Sequence, residues 1–490
     1  MATLLESYKN RLSISESVHQ KSHNGARMSA NKKLLIASVL NNTSKFINEA
    51  FDNSAATQRS ALGDYKRFCL NVSTVALPNL ILPDLMLTQP MSSITGYITY
   101  LRYAAGVTKG DVGINDVFNS VYRHPKMTEA RVNYTSERVV ETLKAGDTEC
   151  AITWLPAKDI ELIVIDADGE VTRTPLEANA QGKVTFEAIA EDVKSAKIGY
   201  IYDNEIIPQV GNSKTPIPTL TAKMSYMQLH AHARRIAVYY SQIAAFQAKT
   251  DYGYDIGEQL STQAQGELAY EIDTEGVFML EKGAEEDNSL VFKGYDLHVK
   301  ENANGTYVSR SQYYETFTEV IARAKKIIYQ RTQKFAPNYM VVGANILTIL
   351  PYLPGWNAAS VSTINGPYLA GTVDGLKVFV SPSIDENKFF FGVNGSDLQT
   401  SAGVYAPYMA IVPTQLLGFA DGTMSQGFST MYDMKLLSTY NVKNKGKDNE
   451  YREDVINTDT NETPDAGEFS WLLVAGRFVP GDDIKANTIN

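Results

Sequence analysis

The sequence predicts an α+β fold, because its helical and strand-like segments come in separate blocks. Apolar residues recur at helical spacing over 256–280 and 313–335. Short β-branched and aromatic runs fill 95–103, 140–215 and 338–420 instead. A length of 490 residues sets a prior of roughly three domains.

Hydrophobic residues make up 44% and charged residues 20%, so the chain can bury substantial cores. Tyr occurs 28 times, and an apolar body with a polar tip suits wide, partly wet contact surfaces. The net charge of −10 is unevenly placed, with +5 on residues 1–67 and −15 on residues 68–490. A basic arm on an acidic body reads as a segment that docks on acidic neighbours or nucleic acid, or as a solvated tail. The acidic body argues against nucleic-acid recognition as the main task of the folded part. Two cysteines, Cys69 and Cys150, give neither a disulfide framework nor metal spacing, as in a chain made for a reducing compartment. No signal-peptide run and no stretch of membrane-span length is present, so a soluble, cytoplasmically made protein without a membrane partner is expected.

Taken in order, the arm holds NKKLLIASVLNNTSKFINEAF, where Leu35, Val39, Phe46 and Ile47 predict one amphipathic helix in an extended segment. From 68 to 105 the chain turns apolar, but Pro78, Pro83 and Pro90 break it before helix length, and TGYITYLRY then reads as a strand. Residues 106–222 read as a small β-rich unit. In it DIELIVIDADGEVTRTPLEA is a hairpin turning at Asp168-Gly169, GKVTFEAI and KIGYIYDNEIIPQV are further strands, and GNSKTPIPTL is a closing link. In KMSYMQLHAHARR, Met227, Leu229, Ala231 and Ala233 alternate with Gln228, His230, His232 and Arg234, a strand passing into helix.

Over 256–280 the period changes, and Leu260, Ala264, Leu268 and Ile272 form one i,i+4 row of a long helix. Glu267, Glu271 and Glu275 form a second row, where each like-charge pair costs about 0.2–0.5 kcal/mol. A solvated helix tolerates that. Alternatively, Lys or Arg of a neighbouring subunit neutralises the row, which makes these three glutamates the subunit-interface candidates. A further helix at 313–335 precedes the short strands of 338–420, a hydrophilic loop at 441–469, and the closing strand SWLLVAGRFVP. Within the uncharged stretch SAGVYAPYMAIVP, Pro407 cannot donate to a ladder and so suits an edge or a bend.

No constellation carries chemistry. Asp166, Asp168 and Glu177 fall at the first, third and twelfth positions of a calcium loop, but the glycine position is Val171, so the hairpin turn is preferred. His230 and His232 would share a strand face with Arg234 and no third ligand, which reads as a polar face rather than a metal site. His19, His23, His124 and His298 are scattered. The G-x-S-x-G, G-x-x-x-x-G-K-[ST] and G-x-G-x-x-G motifs are all missing. No catalytic, cofactor-binding or metal-binding residue is therefore expected.

Three stretches together resemble the major capsid proteins of tailed bacteriophages, especially T-even-like and crAss-like phages. LPNLILPDLMLTQPMSSITGYITYLRY at 77–103 looks like the segment leading from the N-terminal arm into the shell domain. KTDYGYDIGEQLSTQAQGELAYEID at 249–273 is similar to that family's long spine helix. VFVSPSIDENKFFFGVNGSDLQTSAGVYAPYMAIVP at 378–413 resembles a sheet region of its axial domain, with AGVYAPY the most specific piece.

The resemblance implies a Hong Kong-97-type capsid fold. Its N-arm would be 1–67, its E-loop with a β-rich insertion 106–222, and its axial domain 338–425. The peripheral domain would comprise 68–105, 223–337 with the spine helix, and the C-terminal return 426–490. The β-rich material at 140–215 has no counterpart in that pattern. LLE at 4–6 and ISE at 14–16 fit the family's maturation-cleavage pattern, while a start at Met1 favours a retained arm. The implied function is self-assembly into hexamers and pentamers of an icosahedral shell around phage double-stranded DNA. Portal, scaffold and decoration proteins would be partners, and contact with DNA would be weak and sequence-independent. An encapsulin-like compartment is the second reading, and a multi-domain hydrolase with a scattered carboxylate site is the rival from another class.

Overall fold

In the arm, the chain forms three helices rather than the single one expected: α1 (Ala2–Ser7), α2 (Lys9–Ser22) and α3 (Ala30–Asp52). The computed structural model describes residues 2–22, 27–52, 69–70, 74, 77–118, 121, 132–179, 182–203, 217–253, 256–295, 309–359, 366–414, 417–441 and 468–480. Most of the hydrophilic loop expected at 441–469, part of the GNSKTPIPTL link, residues 53–67 of the arm, and His23, His124 and His298 lie outside them. The anticipated stripe of α3 is buried at Leu35, Ile36, Val39, Leu40 and Ile47, whereas Phe46 is exposed. α2 has few apolar positions and is held by polar contacts from elsewhere. Ser15 Oγ donates to the Thr74 carbonyl at 2.8 Å, and His19 Nδ1 lies 3.2 Å from the Pro78 carbonyl.

The prolines that follow allow only a short turn at Leu77–Asn79, the four-residue α4 (Leu82–Leu85) and β1 (Leu87–Thr88). β2 (Thr95–Ala105) contains the expected TGYITYLRY strand. Two units make up the chain, Met1–Ile98 with Met227–Asn490, and Thr99–Tyr226.

The second unit carries β3 (Arg138–Leu143), β4 (Glu149–Ala151), β5 (Ala157–Ile165), β6 (Val171–Pro175), β7 (Lys183–Thr185) and β8 (Ser195–Tyr202). Four of them form an antiparallel sheet in the order β3-β8-β5-β6, while β4 pairs with β7. The β5–β6 hairpin turns at Asp168-Gly169, with Gly169 at φ 88° and the Asp166 carboxylate accepting the Glu170 N–H at 2.8 Å. That carboxylate is spent on the turn. Val139, Trp154, Ile198, Tyr200 and Tyr202 form the core. Lys109 is buried with them. Its ammonium donates to the carbonyls of Asn133 at 3.1 Å, Tyr134 at 3.0 Å and Ser136, and sits 4.9 Å from the Tyr202 ring centre. Burial brings its pKa down to about 8.

β9 (Leu220–His230) pairs with β2. The period-two pattern that it begins does not pass into helix at once. It runs on as β10 (His232–Ser241), which pairs with a later strand along its whole length, and only then gives way to α5 (Gln242–Tyr252). α6 (Ile256–Lys282) is the long helix expected. There follow β11 (Glu285–Lys293), α7 (Arg310–Glu315), α8 (Phe317–Thr332), β12 (Tyr339–Val342), α9 (Ala344–Leu347), β13 (Asn357–Ala358), β14 (Tyr368–Val373), β15 (Leu376–Val380) and β16 (Lys388–Gly392). The chain closes with β17 (Gly403–Pro413), β18 (Leu417–Gly418), β19 (Thr423–Leu436), β20 (Thr439–Asn441), β21 (Glu468–Ser470) and β22 (Leu473–Val479).

In this first unit β11-β22-β16-β12-β15-β14-β13 form a seven-stranded sheet. Its core is aromatic, with Phe317 of α8 edge-on to Phe389 at 5.4 Å and to Phe292 at 5.2 Å. A five-stranded sheet runs β1-β17-β19-β10, with β18 on β19. α6 packs on it through Ala264 and Leu268 against Ile411 and Phe428, and α3 through Ile47 against Met409 and Val412.

The single sheet region expected over 378–413 is thus divided: β15 and β16 belong to the seven-stranded sheet, β17 to the five-stranded one. Pro407 is at a bend inside β17, not at an edge. The register against β19 shifts between Pro407 and Met409, and the Pro407 carbonyl accepts the Met91 N–H at 3.0 Å.

Gly276 of α6 marks the closest approach of two elements. A β-carbon there would overlap the side chain of Leu82 in α4, itself fully buried. Glycine inside a helix costs about 1 kcal/mol relative to alanine, so its presence here answers to packing. Gly276→Val is expected to destabilise the fold by about 2–3 kcal/mol, read from the denaturant midpoint, since overpacking outweighs the gain in helix propensity.

Candidate assembly surface

On α6 the predicted dry row is buried at Ala264, Leu268 and Ile272 and half-buried at Leu260. Of the acidic row, Glu267 and Glu271 are exposed and, among the described residues, make no ion pair. Glu275 is different, because it has charged and hydrogen-bonding partners within its own chain. Its Oε1 pairs with the guanidinium of Arg234 from β10, and its Oε2 accepts the Tyr432 hydroxyl of β19 at 2.5 Å. β10 and β19 are adjacent strands, so their pairing sets these two partners side by side under the helix. Arg234 also lies 5.8 Å from the Tyr432 ring centre. Burial, and then the hydrogen bond to Glu275, push the Tyr432 phenol well above its usual range, so it remains a donor. Both charged groups are nearly half exposed, which limits the pair to about 0–1 kcal/mol. Its role is to fix geometry. A cavity of about 410 Å³ opens beside it, walled by Tyr270, Glu271, Phe278, Tyr432, Arg234 and Glu275.

Asp273, two residues past Glu271, was not anticipated. It is buried, and its carboxylate accepts the N–H groups of Ile81 at 3.2 Å and Leu82 at 3.1 Å, capping the first turn of α4 from 191 residues away. Lys32 of α3 is buried beside it, donates to the Leu80 carbonyl at 3.1 Å and lies 3.7 Å from Asp84, which also pairs with Lys377 at 3.0 Å. Burial pushes Asp273 up to about 7, against the pull of the two N–H groups and Lys32, and burial pulls Lys32 down. His19 is pulled down by burial and then by Lys32. Arm, α4, spine helix and β15 thus share one ionic core. The available signal was a carboxylate at i±4 from Ala269 and Val277, on an otherwise apolar stripe.

His230 and His232 sit ring to ring at 4.9 Å, and Asp433 is occupied by the His230 backbone N–H at 2.8 Å. Among the described residues no group of three His, Cys, Asp or Glu is placed to hold a metal ion. Burial and then the neighbouring Glu141 carboxylate push the Cys150 thiol up to about 11, which disfavours the thiolate near neutral pH. None of the described helices is long and apolar enough to cross a membrane.

The paired strands β2 and β9 carry several exposed large apolar side chains. Tyr97 is 65%, Leu220 62%, Met224 74% and Tyr226 67% exposed, with Leu101 and Tyr103 open beside them. Large side chains rarely stand out together in this way without a partner surface.

Comparison with known proteins identifies the setting. The model of the family "Major capsid protein Gp23" matches residues 63–461. The major capsid protein of Escherichia phage AR1 is 20% identical over 391 residues, covering 73% of this chain and 72% of that one. That of Enterobacteria phage T4 is 22% identical over 382 residues, covering 73% and 72%. Among solved structures, the asymmetric unit of the bacteriophage PhiM1 mature capsid is similar with a TM-score of 0.31 and 9% identity, over 56% of this chain and 78% of that one. With the family match spanning most of its length, the chain belongs to the Gp23 major capsid protein family, a structural α+β capsid protein of tailed phages and not an enzyme.

Proposed function

We propose that this protein assembles into hexamers and pentamers that close an icosahedral shell around packaged double-stranded DNA. The observation that carries the reading is the β2–β9 ribbon, whose tyrosines, leucines and methionine are a liability on a free monomer and an interface in an assembly. Closure through symmetry needs heterologous contacts of this kind, and such interfaces can exceed about 2,000 Å².

In this reading residues 68–105, 223–337 with α6 as the spine helix, and the C-terminal return 426–490 make up the peripheral domain, and 338–425 the axial domain. Residues 106–222 supply the E-loop and its insertion, and 1–67 the arm. Glu267 and Glu271 remain the interface candidates on the spine helix. Portal, scaffold and decoration proteins are the further partners. The acidic body limits DNA to weak, sequence-independent contact. The protein is made in the host cytoplasm and ends in the virion. An encapsulin-like compartment is the weaker reading, because the family match is to phage capsid proteins.

Sedimentation velocity and negative-stain microscopy of the purified full chain test this directly. Capsomers and closed shells are expected. A protein that stays monomeric across micromolar concentrations and salt conditions overturns the reading.

A further inference from the structure

The cavity beside Glu271 has the chemistry of a socket for a cation. Its acidic wall is half committed: Glu275 is already satisfied by Arg234 and Tyr432, whereas Glu271, one turn earlier, is exposed and has no ion pair among the described residues. Its remaining walls are the aromatic rings of Tyr270, Phe278 and Tyr432, the hydroxyls of Thr274 and Ser383, and Arg234, whose charge is matched by Glu275. Carboxylate plus aromatic faces is the combination that holds ammonium and guanidinium groups. The same surface already holds two such groups of its own, since Arg234 lies 5.8 Å from the Tyr432 ring centre and Lys282 lies 5.2 Å from that of Phe278. Neither is paired with Glu271 among the described residues, because Arg234, itself part of the cavity wall, pairs with Glu275, and Lys282 lies over Phe278. Glu267 extends the negative line one turn further along α6.

We propose that this socket receives a lysine or arginine side chain from a second copy of the chain. The inference rests on the assembly reading above and deepens it by naming the recognition chemistry at one contact. Charge complementarity selects the occupant. The body carries −15 while residues 1–67 carry +5, so another copy brings a cationic segment to an acidic surface. Lys9, Lys21 and Lys45 are exposed on that segment, and Lys223 is exposed on β9. An ion pair backed by aromatic walls is partly shielded from water, so it is stronger than a pair on an open helix face.

The test uses the full chain carrying Glu271→Lys or Glu271→Gln, with Glu315→Lys on α7 as an exposed control that has no ion pair among the described residues. Sedimentation gives the assembled fraction and thermal melting reports the fold. Glu271→Lys is expected to cut assembly by about tenfold or more, because a like charge meets the incoming cation. Glu271→Gln is expected to cut it by roughly threefold and to flatten its dependence on salt. Glu315→Lys should assemble as wild type, and melting temperatures should agree. If Glu271→Lys proves insoluble, Glu271→Gln decides the matter on the same readouts. Wild-type yield from the Glu271 variants overturns the socket alone, whereas failure of the wild type to assemble at all overturns the shell reading.

Discussion

Asp273→Ala is expected to cost about 3 kcal/mol of folding stability, measured as a lower denaturant midpoint at unchanged slope. The substitution strands the N–H groups of Ile81 and Leu82 inside the protein and leaves Lys32 with Asp84 as its nearest counter-charge. Removing one member of a buried charged network leaves the others desolvated and unpaired, which costs far more than the network's net worth. Asp273→Asn keeps an oxygen for the two N–H groups and should lose only about 1 kcal/mol at neutral pH. The two variants also separate packing from charge. Burial raises the Asp273 carboxyl from 3.8 to about 7, so between those values the folded chain holds a proton that the unfolded chain has released. The stabilisation that this proton brings is complete below the unfolded value and is lost as pH rises towards about 7. Wild type should therefore lose stability relative to Asp273→Asn on going from pH 5 to pH 8. A difference between the two that stays flat across that range would count against a raised carboxyl.

Met224→Asp is expected to abolish shell formation, lowering the assembled fraction by about a hundredfold or more without moving the melting temperature of the free protein. The methionine is among the most exposed large side chains of the described residues, so the free protein loses nothing by its replacement. In an assembled shell the same position would bury a carboxylate against apolar neighbours, a penalty repeated at every copy. Tyr226→Ser should do less, since it removes contact area without adding a charge. Shells of Met224→Asp at wild-type yield would show that the ribbon is not an assembly surface.

Local pattern revealed much of this architecture, and distance hid the rest. The spine helix was legible because one face is dry, and a dry face writes a regular i,i+4 row into the chain. α2 was not legible: Leu12, Ile14 and Val18 are its only large apolar residues, and its docking depends on Thr74 and Pro78. β17 announced itself as buried, yet a run without alternation does not say which sheet it joins. Its partner β19 escaped notice because Gln426, Ser429 and Asp433 interrupt its apolar positions. At the candidate site the acidic row was visible, but the partners of Glu275 were not. They stand 41 and 157 residues away and meet it only after two strands have paired. Asp273 had a local signature, and its meaning came from a turn 191 residues upstream.

The docking of α3 on β17 also has a consequence for synthesis. Asn42 Nδ2 donates to the Tyr408 carbonyl at 3.1 Å, and the Thr43 hydroxyl accepts the Ala410 N–H at 3.4 Å, across separations of 366 and 367 residues. A ribosome adding about 5–20 residues per second needs roughly 20–70 s to cover that interval. Throughout it, the stripe of Leu35, Ile36, Val39 and Leu40 has emerged without the strand that will receive its helix. The nascent chain therefore carries this apolar helix early and its resting place nearly last, and that order makes the growing polypeptide a client for protection before it is a building block.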